Sequence, residues 1–365
     1  MMDTLRQLTL IESPSLEKNH ADRCAGFLAD EWLLRGTLVQ VIQQKYRGDH
    51  VRAVWTPHST PPRSQILVLG HYDTVYPTGT LSQMPFRIVG GKAYGPGTFD
   101  MKAGIVQALF ALEALQELHT PISKRLVFLW TSDEEIGSES SRKLIEEDAH
   151  RSDAVFVLEP SLGPRGLVKT SRKGVGEAKL MVHGRSAHAG LDPERGINAI
   201  HELAAQIARI EKWNDPRHGV TVNADIIDGG TRTNVIPDRA KVNFDLRAWR
   251  IADMRALEKR FRTLKPIRRG VKLEVRGGFE RPPLERRHSA ALFLRAKFLA
   301  KQMGYSLGEA AAGGGSDGNF TAALGIPTLD GFGAVGDGAH SAQEYVLYKT
   351  MPLRAALLAA MLATS

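Results

Sequence analysis

Histidine and acidic residues recur along the chain in groups of the kind that bind divalent metal ions. In chain order these residues are His71, Asp73, Asp100, Asp133, Glu134, Glu135 and Glu159. Imidazole and carboxylate ligands suit zinc, and they also accept cobalt or manganese. The residue types therefore indicate a candidate metal site.

Each of these residues also has an ordinary structural explanation. His71 could be a hydrogen-bonded loop histidine, and Asp100 could cap the N-terminus of a helix that begins at Met101. Glu134 and Glu135 could form a solvated acidic turn. Whether these side chains meet in space depends on the elements that carry them.

The predicted secondary structure places these residues just after buried strands. The apolar run 66–69 (ILVL) predicts a strand that ends directly before His71. Further strands are predicted at 125–130 and 154–158, and a core helix is predicted at 103–118. Such strands, alternating with helices, predict an α/β fold with a mixed, mostly parallel sheet covered by helices on both faces. Because ligands of these sheets gather at the carboxyl ends of strands, the separated side chains could converge.

The pattern changes after about residue 173, where residues 177–183 (EAKLMVH) alternate as a half-exposed antiparallel strand does. The elements predicted next are a helix at 197–210, strands at 221–227 and 240–247, a helix at 251–264 and a strand at 271–276. This βαββαβ order predicts an α+β ferredoxin-like sandwich of about 110 residues. Helical patterns return at 289–303 and after Lys349.

Length and composition exclude several classes of protein. The 365 residues, 42% hydrophobic and 24% charged, are typical of a folded chain of about two domains and exclude disordered and fibrous proteins. The net charge of +8 leaves nucleic-acid binding as an alternative, but the most basic stretch, 260–269, lacks interleaved aromatic residues and is typical of solvated surface. Cys24 is the single cysteine, so a buried or idle thiol is expected. No signal peptide or membrane span is recognised, which favours a cytoplasmic location.

Taken together, the motifs around these residues resemble those of one enzyme family. They are HYDTVYP at 71–77, GPGTFDMKAG at 95–104, TSDEEIGS at 131–138, LEP at 158–160 and GAH at 338–340. Their order and spacing are similar to those of the zinc-dependent aminoacylase, glutamate carboxypeptidase and acetylornithine deacetylase family. GRSAHAG at 184–190, TNVIPDRAKVNFDLR at 233–247 and GGGSDGNF at 313–320 are most similar to its bacterial glutamate carboxypeptidase branch.

The resemblance implies a cofactor of two Zn²⁺ ions, with Co²⁺ or Mn²⁺ as alternatives. Asp100 matches the carboxylate that bridges the ions. By the same match, His71 and Glu159 hold one ion. Glu135 and His340 hold the other.

The same resemblance implies residues that act beside the ions. Asp73 matches a carboxylate that accepts the ring N–H of His71 and fixes its tautomer. Glu134 matches the general base, which deprotonates a metal-bridging water and returns the proton to the leaving nitrogen. His188 matches a histidine that contacts the developing oxyanion, often across a dimer interface.

Substrates of this branch carry a free carboxylate next to the amide bond that is cleaved. Asn234 matches a substrate-contacting position. The candidates for binding the carboxylate are Arg247, Arg281 and the loop residues Gly314, Gly315 and Ser316. The implied reaction is release of a C-terminal amino acid, with glutamate as the first expectation, and the alternative is deacylation of an N-acyl amino acid. A non-catalytic metal-binding relative is a further hypothesis, although such a protein would have no chemical reason to keep Glu134.

The last implied ligand, His340, lies far along the chain from the others, so the two domains are not expected to follow one another in tandem. A discontinuous catalytic domain is expected at 1–173 and 285–365, with a lid and dimerisation domain inserted at 174–284. The expected partners are a small peptide or N-acyl amino acid and a second copy of the chain, bound through the inserted domain. Neither nucleic acid nor membrane is an expected partner.

Overall fold

The computed structural model describes residues 1–57 and 64–364, and its internal contacts divide the chain into two units. The first unit comprises Met1–Ser171, Glu285–Ala312 and Ser316–Ser365, and the second comprises Arg172–Leu284 and Gly313–Gly315. The helices are α1 (Met2–Leu10), α2 (Lys18–Leu34), α3 (Ala103–Glu117), α4 (Arg142–His150), α5 (Ala199–Glu211), α6 (Ile251–Arg262), α7 (Ala290–Gln302), α8 (Gly318–Ala323) and α9 (Met351–Thr364). The strands are β1 (Leu38–Ile42), β2 (His50–Trp55), β3 (Gln65–His71), β4 (Arg87–Val89), β5 (Lys92–Tyr94), β6 (Arg125–Thr131), β7 (Ser152–Val157), β8 (Val168–Arg172), β9 (Gly174–His183), β10 (Ala187–His188), β11 (Thr221–Gly229), β12 (Val235–Ile236), β13 (Arg239–Ala248), β14 (Lys272–Arg281), β15 (Glu309–Ala312), β16 (Thr328–Leu329), β17 (Gly336–Asp337) and β18 (Tyr345–Val346).

A six-stranded mixed sheet forms the centre of the first unit, in the order β1-β2-β6-β3-β7-β16. The pairings from β6 to β16 are parallel, and those of β1 with β2 and of β2 with β6 are antiparallel. Alternate residues of β3 point to opposite faces, so Ile66 and Val68 join one hydrophobic core while Leu67 and Leu69 join another. The apolar run is therefore buried on both faces, and the predicted α/β class is confirmed.

The parallel strands end together at one edge of this sheet. His71 closes β3 opposite Thr131 of β6, and Leu69 lies opposite Val157 at the end of β7. The segments that leave these strands carry the polar residues predicted to meet. The convergence expected from the strand order is therefore built into the register of the sheet.

The second unit has the predicted α+β architecture. Its strands form an antiparallel sheet in the order β11-β13-β9-β14, and the chain runs through them as β9, α5, β11, β13, α6 and β14. Alternate residues of β9 and β13, including Leu180 and Phe244, pack with Leu203 of α5 and Leu257 of α6 in one buried cluster. The alternation at 177–183 thus corresponds to a sheet with one helix-covered face.

Some elements were not predicted from the sequence. The antiparallel strands β1 and β2 extend the central sheet, and four short strands form a small sheet in the order β17-β18-β5-β4. Cys24 lies in the core, where burial raises the pKa of its thiol to about 11, as expected of an idle thiol. Among the described residues, no helix combines the length and the apolar character needed to cross a membrane.

Candidate metal centre

The structure brings the five implied metal ligands together around Asp100, within the first unit. Asp100 Oδ1 lies 3.4 Å from His71 Nε2, and Asp100 Oδ2 lies 3.4 Å from His340 Nε2. On the first side, His71 Nε2 is also 3.4 Å from Glu159 Oε1. On the second side, His340 Nε2 is 3.2 Å from Glu135 Oε2. One carboxylate therefore connects two ligand sets, as a bridge between two ions requires.

Asp100 lies in an irregular turn and does not cap a helix. Its φ and ψ are −112° and 94°, the peptide bond to Met101 is cis, and α3 begins only at Ala103. Gly97, at the start of the turn, has a φ of +71°, and a Cβ there would lie 2.6 Å from Thr74 Cγ2. Glycine is required at this position because a side chain would be strained and would clash.

Asp73 is a buried acceptor that joins three segments of the site. It accepts a hydrogen bond from Ser15 Oγ at 2.7 Å and lies 3.3 Å from each of the main-chain nitrogens of Glu134 and Glu135. His71 Nδ1 is 3.1 Å from the main-chain oxygen of Asp73 and 3.4 Å from its Oδ1. Both acceptors favour a proton on Nδ1, so Nε2, the nitrogen that faces Asp100 and Glu159, would be the one to bind a metal ion.

Glu134 and Glu135 form a single helical turn that follows β6. The Glu135 side chain is only 7% exposed and faces His340, so this segment is not a solvated acidic turn. A carboxylate oxygen of Glu134 lies within 4.8 Å of ligand atoms of His71 and Glu159. In a second group, the Glu135 carboxylate lies within 4.8 Å of ligand atoms of His71 and Asp100, so both adjacent carboxylates reach the cluster.

The cluster has the properties expected of a cation site. Asp100 Oδ1 is buried and, within the described parts of the chain, accepts no hydrogen bond of normal geometry. A buried carboxylate oxygen without such a partner costs free energy unless a cation compensates it. The donors are imidazole nitrogens and carboxylate oxygens, the set that divalent zinc, cobalt and manganese accept. The residues present therefore fit a pair of divalent ions.

The charges of the cluster agree with this conclusion. Burial lowers the pKa of His71, but the neighbouring carboxylates, chiefly Asp100 and Asp73, outweigh that effect and raise its pKa well above the usual value. Contacts with Asp100 and Glu135 raise the pKa of His340 to about 10. Burial raises the pKa of Glu135. Without metal, the excess of negative charge is offset by protons, which bound cations would displace.

The other implied catalytic residue, His188, lies on β10 of the second unit and is exposed. Its Nδ1 accepts hydrogen bonds from the main-chain nitrogens of Gly190 and Leu191, both at 3.1 Å. A neutral ring in this arrangement carries its proton on Nε2. His188 Nε2 is therefore available as a hydrogen-bond donor.

The implied substrate-binding residues are divided between the units. Asn234 is exposed in the second unit, where Arg247 donates to both carboxylate oxygens of Asp245 and Arg281 is buried. The carbonyls of Gly314 and Gly315 accept hydrogen bonds from Arg172 within the same unit. Ser316 belongs to the first unit, where its buried hydroxyl lies 2.5 Å from Asp330 Oδ2. Ser316 Oγ also accepts a hydrogen bond from the main-chain nitrogen of Gly318, so its described contacts join its loop to the residue that follows β16.

Three polar residues around the centre were missed by sequence reasoning. Ser15 bonds to Asp73, Tyr76 bonds to Glu344, and Glu344 accepts hydrogen bonds from the turn that holds Asp100. Tyr76 lies inside the HYDTVYP motif, and Glu344 follows His340 by four residues. Proximity to the ligand motifs was the available signal, but it does not reveal which main-chain atoms these side chains contact.

Comparison with known proteins gives the family. The model of "Peptidase family M20/M25/M40" matches residues 67–364. Carboxypeptidase G2 of Pseudomonas sp. (strain RS-16) is 34% identical over 296 residues, which cover 79% of this chain and 71% of the relative. Succinyl-diaminopimelate desuccinylase of Stenotrophomonas maltophilia (strain R551-3) is 29% identical, over 83% of this chain and 86% of the relative.

A solved structure shows that the fold is also similar. The Bacillus subtilis protein YXEP, described as a dinuclear metal binding peptidase of the M20 family, superimposes with a TM-score of 0.73 at 16% identity, over 99% of this chain and 96% of that one. The match of the family model covers most of the chain, and the resemblance inferred from the motifs is confirmed. The chain belongs to peptidase family M20/M25/M40 and is a metal-dependent hydrolase that acts on C–N bonds.

Proposed function

We propose that the chain is a zinc-dependent exopeptidase that releases a C-terminal amino acid, with glutamate as the first expectation, from a small carboxylate-bearing substrate. The observation that carries the proposal is the position of Asp100 between two ligand sets, with Glu134 beside the first of them. The relative named carboxypeptidase G2, at 34% identity, supports the choice of a carboxypeptidase.

In this proposal, His71 and Glu159 would hold one ion, Glu135 and His340 would hold the second, and Asp100 would contribute to both. Such ions lower the pKa of a water and polarise a carbonyl oxygen. Glu134 takes a proton from the attacking water on one carboxylate oxygen. As the C–N bond breaks, Glu134 donates that proton to the leaving nitrogen, so that the amino acid leaves as an amine. The main-chain contacts of Glu134 and Glu135 with Asp73 support this role because they fix the turn that carries the base.

We further propose that His188 donates a hydrogen bond to the oxyanion that forms from the substrate carbonyl. The two main-chain N–H groups on its Nδ1 support this role because they leave Nε2 as the donor. Asn234, Arg247 and Arg281 stay predictions for substrate contact, and so do Gly314, Gly315 and Ser316.

A deacylase that acts on N-acyl amino acids is the second candidate. It uses the same centre and differs only in the acyl group and amino acid accepted. The 29% identity with a succinyl-diaminopimelate desuccinylase supports it. The remaining hypothesis, a non-catalytic metal-binding relative, is not supported, because the chain belongs to a family of hydrolases.

A substrate panel tests the proposal. Zinc-loaded protein is incubated with N-acyl dipeptides and N-acetyl or N-succinyl amino acids that end in glutamate, an arginine-like or an apolar residue, and the free amine is measured. Release of C-terminal glutamate with the highest kcat/KM is expected. Preferred cleavage of N-acetyl or N-succinyl amino acids would favour the deacylase, and no release from any substrate would contradict both.

We also propose that the chain forms a homodimer through the second unit. Strand β11 lies at an edge of the four-stranded sheet, and its Ile226 and Ile227 are 62% and 63% exposed. An exposed apolar edge strand is a template for pairing with another chain.

The cytoplasmic location likewise stays a prediction.

The dimer predicts a mass of about twice 40.1 kDa by light scattering at micromolar concentration. Replacing Ile226 and Ile227 with lysine is expected to give monomers, because like charges would oppose edge pairing. Leu294→Lys, at a residue 61% exposed on the first unit, is the matched control and should leave the mass unchanged. A monomeric unmodified chain would refute the dimer.

A further inference from the structure

Glu344 is a buried carboxylate to which the proposed chemistry assigns no role. It is 0% exposed. Its Oε1 accepts hydrogen bonds from the main-chain nitrogens of Phe99, at 2.8 Å, and Asp100, at 3.0 Å. Its Oε2 accepts from the main-chain nitrogen of Gly97, at 3.2 Å, and from the Tyr76 hydroxyl, at 2.6 Å. Four donors therefore converge on one side chain, and three of them belong to the turn that carries Asp100.

Tyr76 joins a second ligand segment to the same network. Its hydroxyl is 2.6 Å from Glu344 Oε2 and 3.0 Å from the main-chain oxygen of Ser341, the residue that follows His340. His340 has a φ of +61°, in the left-handed region that non-glycine residues rarely adopt. Such a conformation persists only where the surrounding contacts hold it. The Tyr76 hydroxyl provides one such contact, its single hydrogen shared between Glu344 Oε2 and the Ser341 oxygen.

The hydrogen bonds of Glu344 and Tyr76 restrain the two segments that carry Asp100 and His340. The turn at Asp100 is irregular, with φ and ψ of −112° and 94°, so regular helical hydrogen bonds do not fix the direction of its carboxylate. Glu344 supplies main-chain partners instead, including one to Asp100 itself. The chain that carries Glu344 leads directly from His340, so the restraint on both ligands comes from one buried group.

We infer that Glu344 is a positioning residue, which with Tyr76 orients Asp100 and His340 so that the second ion can bind. This inference rests on the proposed two-metal function. Asp100 serves both ions, but His71 and Glu159 lie outside the network, so the first ion keeps two undisturbed ligands while the second keeps only Glu135. Loss of Glu344 is therefore expected to weaken the second ion more than the first.

The test compares metal affinities of the unmodified protein with those of Glu344→Gln and Tyr76→Phe. Glutamine keeps the shape of the side chain but presents an N–H₂ group to main-chain N–H donors, so part of the network is lost. Gln343→Ala, at the exposed neighbouring residue, is the matched control. Zinc dissociation constants are measured by competition with a chelator, and the visible absorption of the Co²⁺ form reports the geometry of the ligands.

We expect the second ion to bind about 10–100-fold more weakly in Glu344→Gln. This is the range typically found when a hydrogen-bond partner of a metal ligand is removed. The first ion should weaken by a smaller factor, because only Asp100 among its three ligands is disturbed. Tyr76→Phe should weaken the second ion in the same direction, and the cobalt spectra of both variants should change. The control should match the unmodified protein in every measurement.

Two results would overturn the inference in distinguishable ways. If the unmodified protein binds two ions and both variants bind them equally well, with lower melting temperatures alone, Glu344 is merely structural and the proposed function stands. If the unmodified protein binds fewer than two ions, the proposed function fails and the inference fails with it.

Discussion

Glu134→Gln is expected to retain two metal ions per chain and to lose turnover by about 10²–10⁴-fold, the usual contribution of general acid–base catalysis. The amide keeps the size of the carboxylate but cannot take a proton from water or return it to the leaving nitrogen. Because Glu134 lies next to the ligands without being an assigned ligand, the loss should appear in kcat while the metal content is unchanged. Initial rates on the best substrate of the panel, together with elemental analysis, measure both quantities.

Glu139→Gln is the control for this variant, since Glu139 is an exposed residue of the same segment. It should keep both activity and metal. Loss of both ions in Glu134→Gln would show that Glu134 acts as a ligand. Unchanged turnover would show that another group is the base.

Asp100→Asn is expected to reduce the metal content from about two ions to at most about one per chain and to abolish turnover, because no bridging carboxylate remains. The asparagine amide has a single oxygen, which is uncharged. It therefore cannot bind both the ion beside His71 and the ion beside His340. Elemental analysis after dialysis against zinc-containing buffer and then metal-free buffer gives the ion count.

Asp30→Asn, at an exposed position of α2, is the matched control and should bind two ions. Melting temperatures of the metal-free proteins should be similar for Asp100→Asn and the unmodified chain, which separates loss of the site from loss of the fold. Two tightly held ions in Asp100→Asn would contradict the bridging role.

Much of the fold could be predicted because strong apolar periodicity coincides with its main elements. The run at 66–69 lies inside β3, and the helix predicted at 103–118 is α3 to within one residue. In the second unit, the alternation at 177–183 marks β9 because one face of that sheet is covered by helices and the other is open. In these segments the local pattern and the tertiary burial agree.

Other elements depend on partners that are distant in the sequence. Strand β1 is mostly exposed, so it lacks the alternation that would have identified it, and its position is set by pairing with β2. Strands β5 and β18 are two or three residues long and pair across about 250 positions of the chain. Their sequences alone contain too little periodicity to predict them.

The residues of the candidate site also differ in whether the sequence could predict their position. His71 ends β3, and Glu135 and Glu159 follow β6 and β7. The parallel register of these strands places the three residues at one edge of the sheet, so their convergence could be argued from the pattern of strands. Glu344 could not be found in this way, because it contacts main-chain nitrogens of Phe99 and Asp100, which any residue types would provide. Sequence motifs indicate the ligands, whereas the side chains that hold them in position become visible only in three dimensions.

The central claim is that Asp100 bridges two ions held by the flanking ligands. The most direct measurement is an anomalous difference map from crystals of the zinc-loaded protein, collected at the zinc edge. The account predicts two peaks about 3.5–4 Å apart on either side of the Asp100 carboxylate, one near His71 and Glu159 and the other near Glu135 and His340. A single peak, or peaks held by other residues, would contradict it.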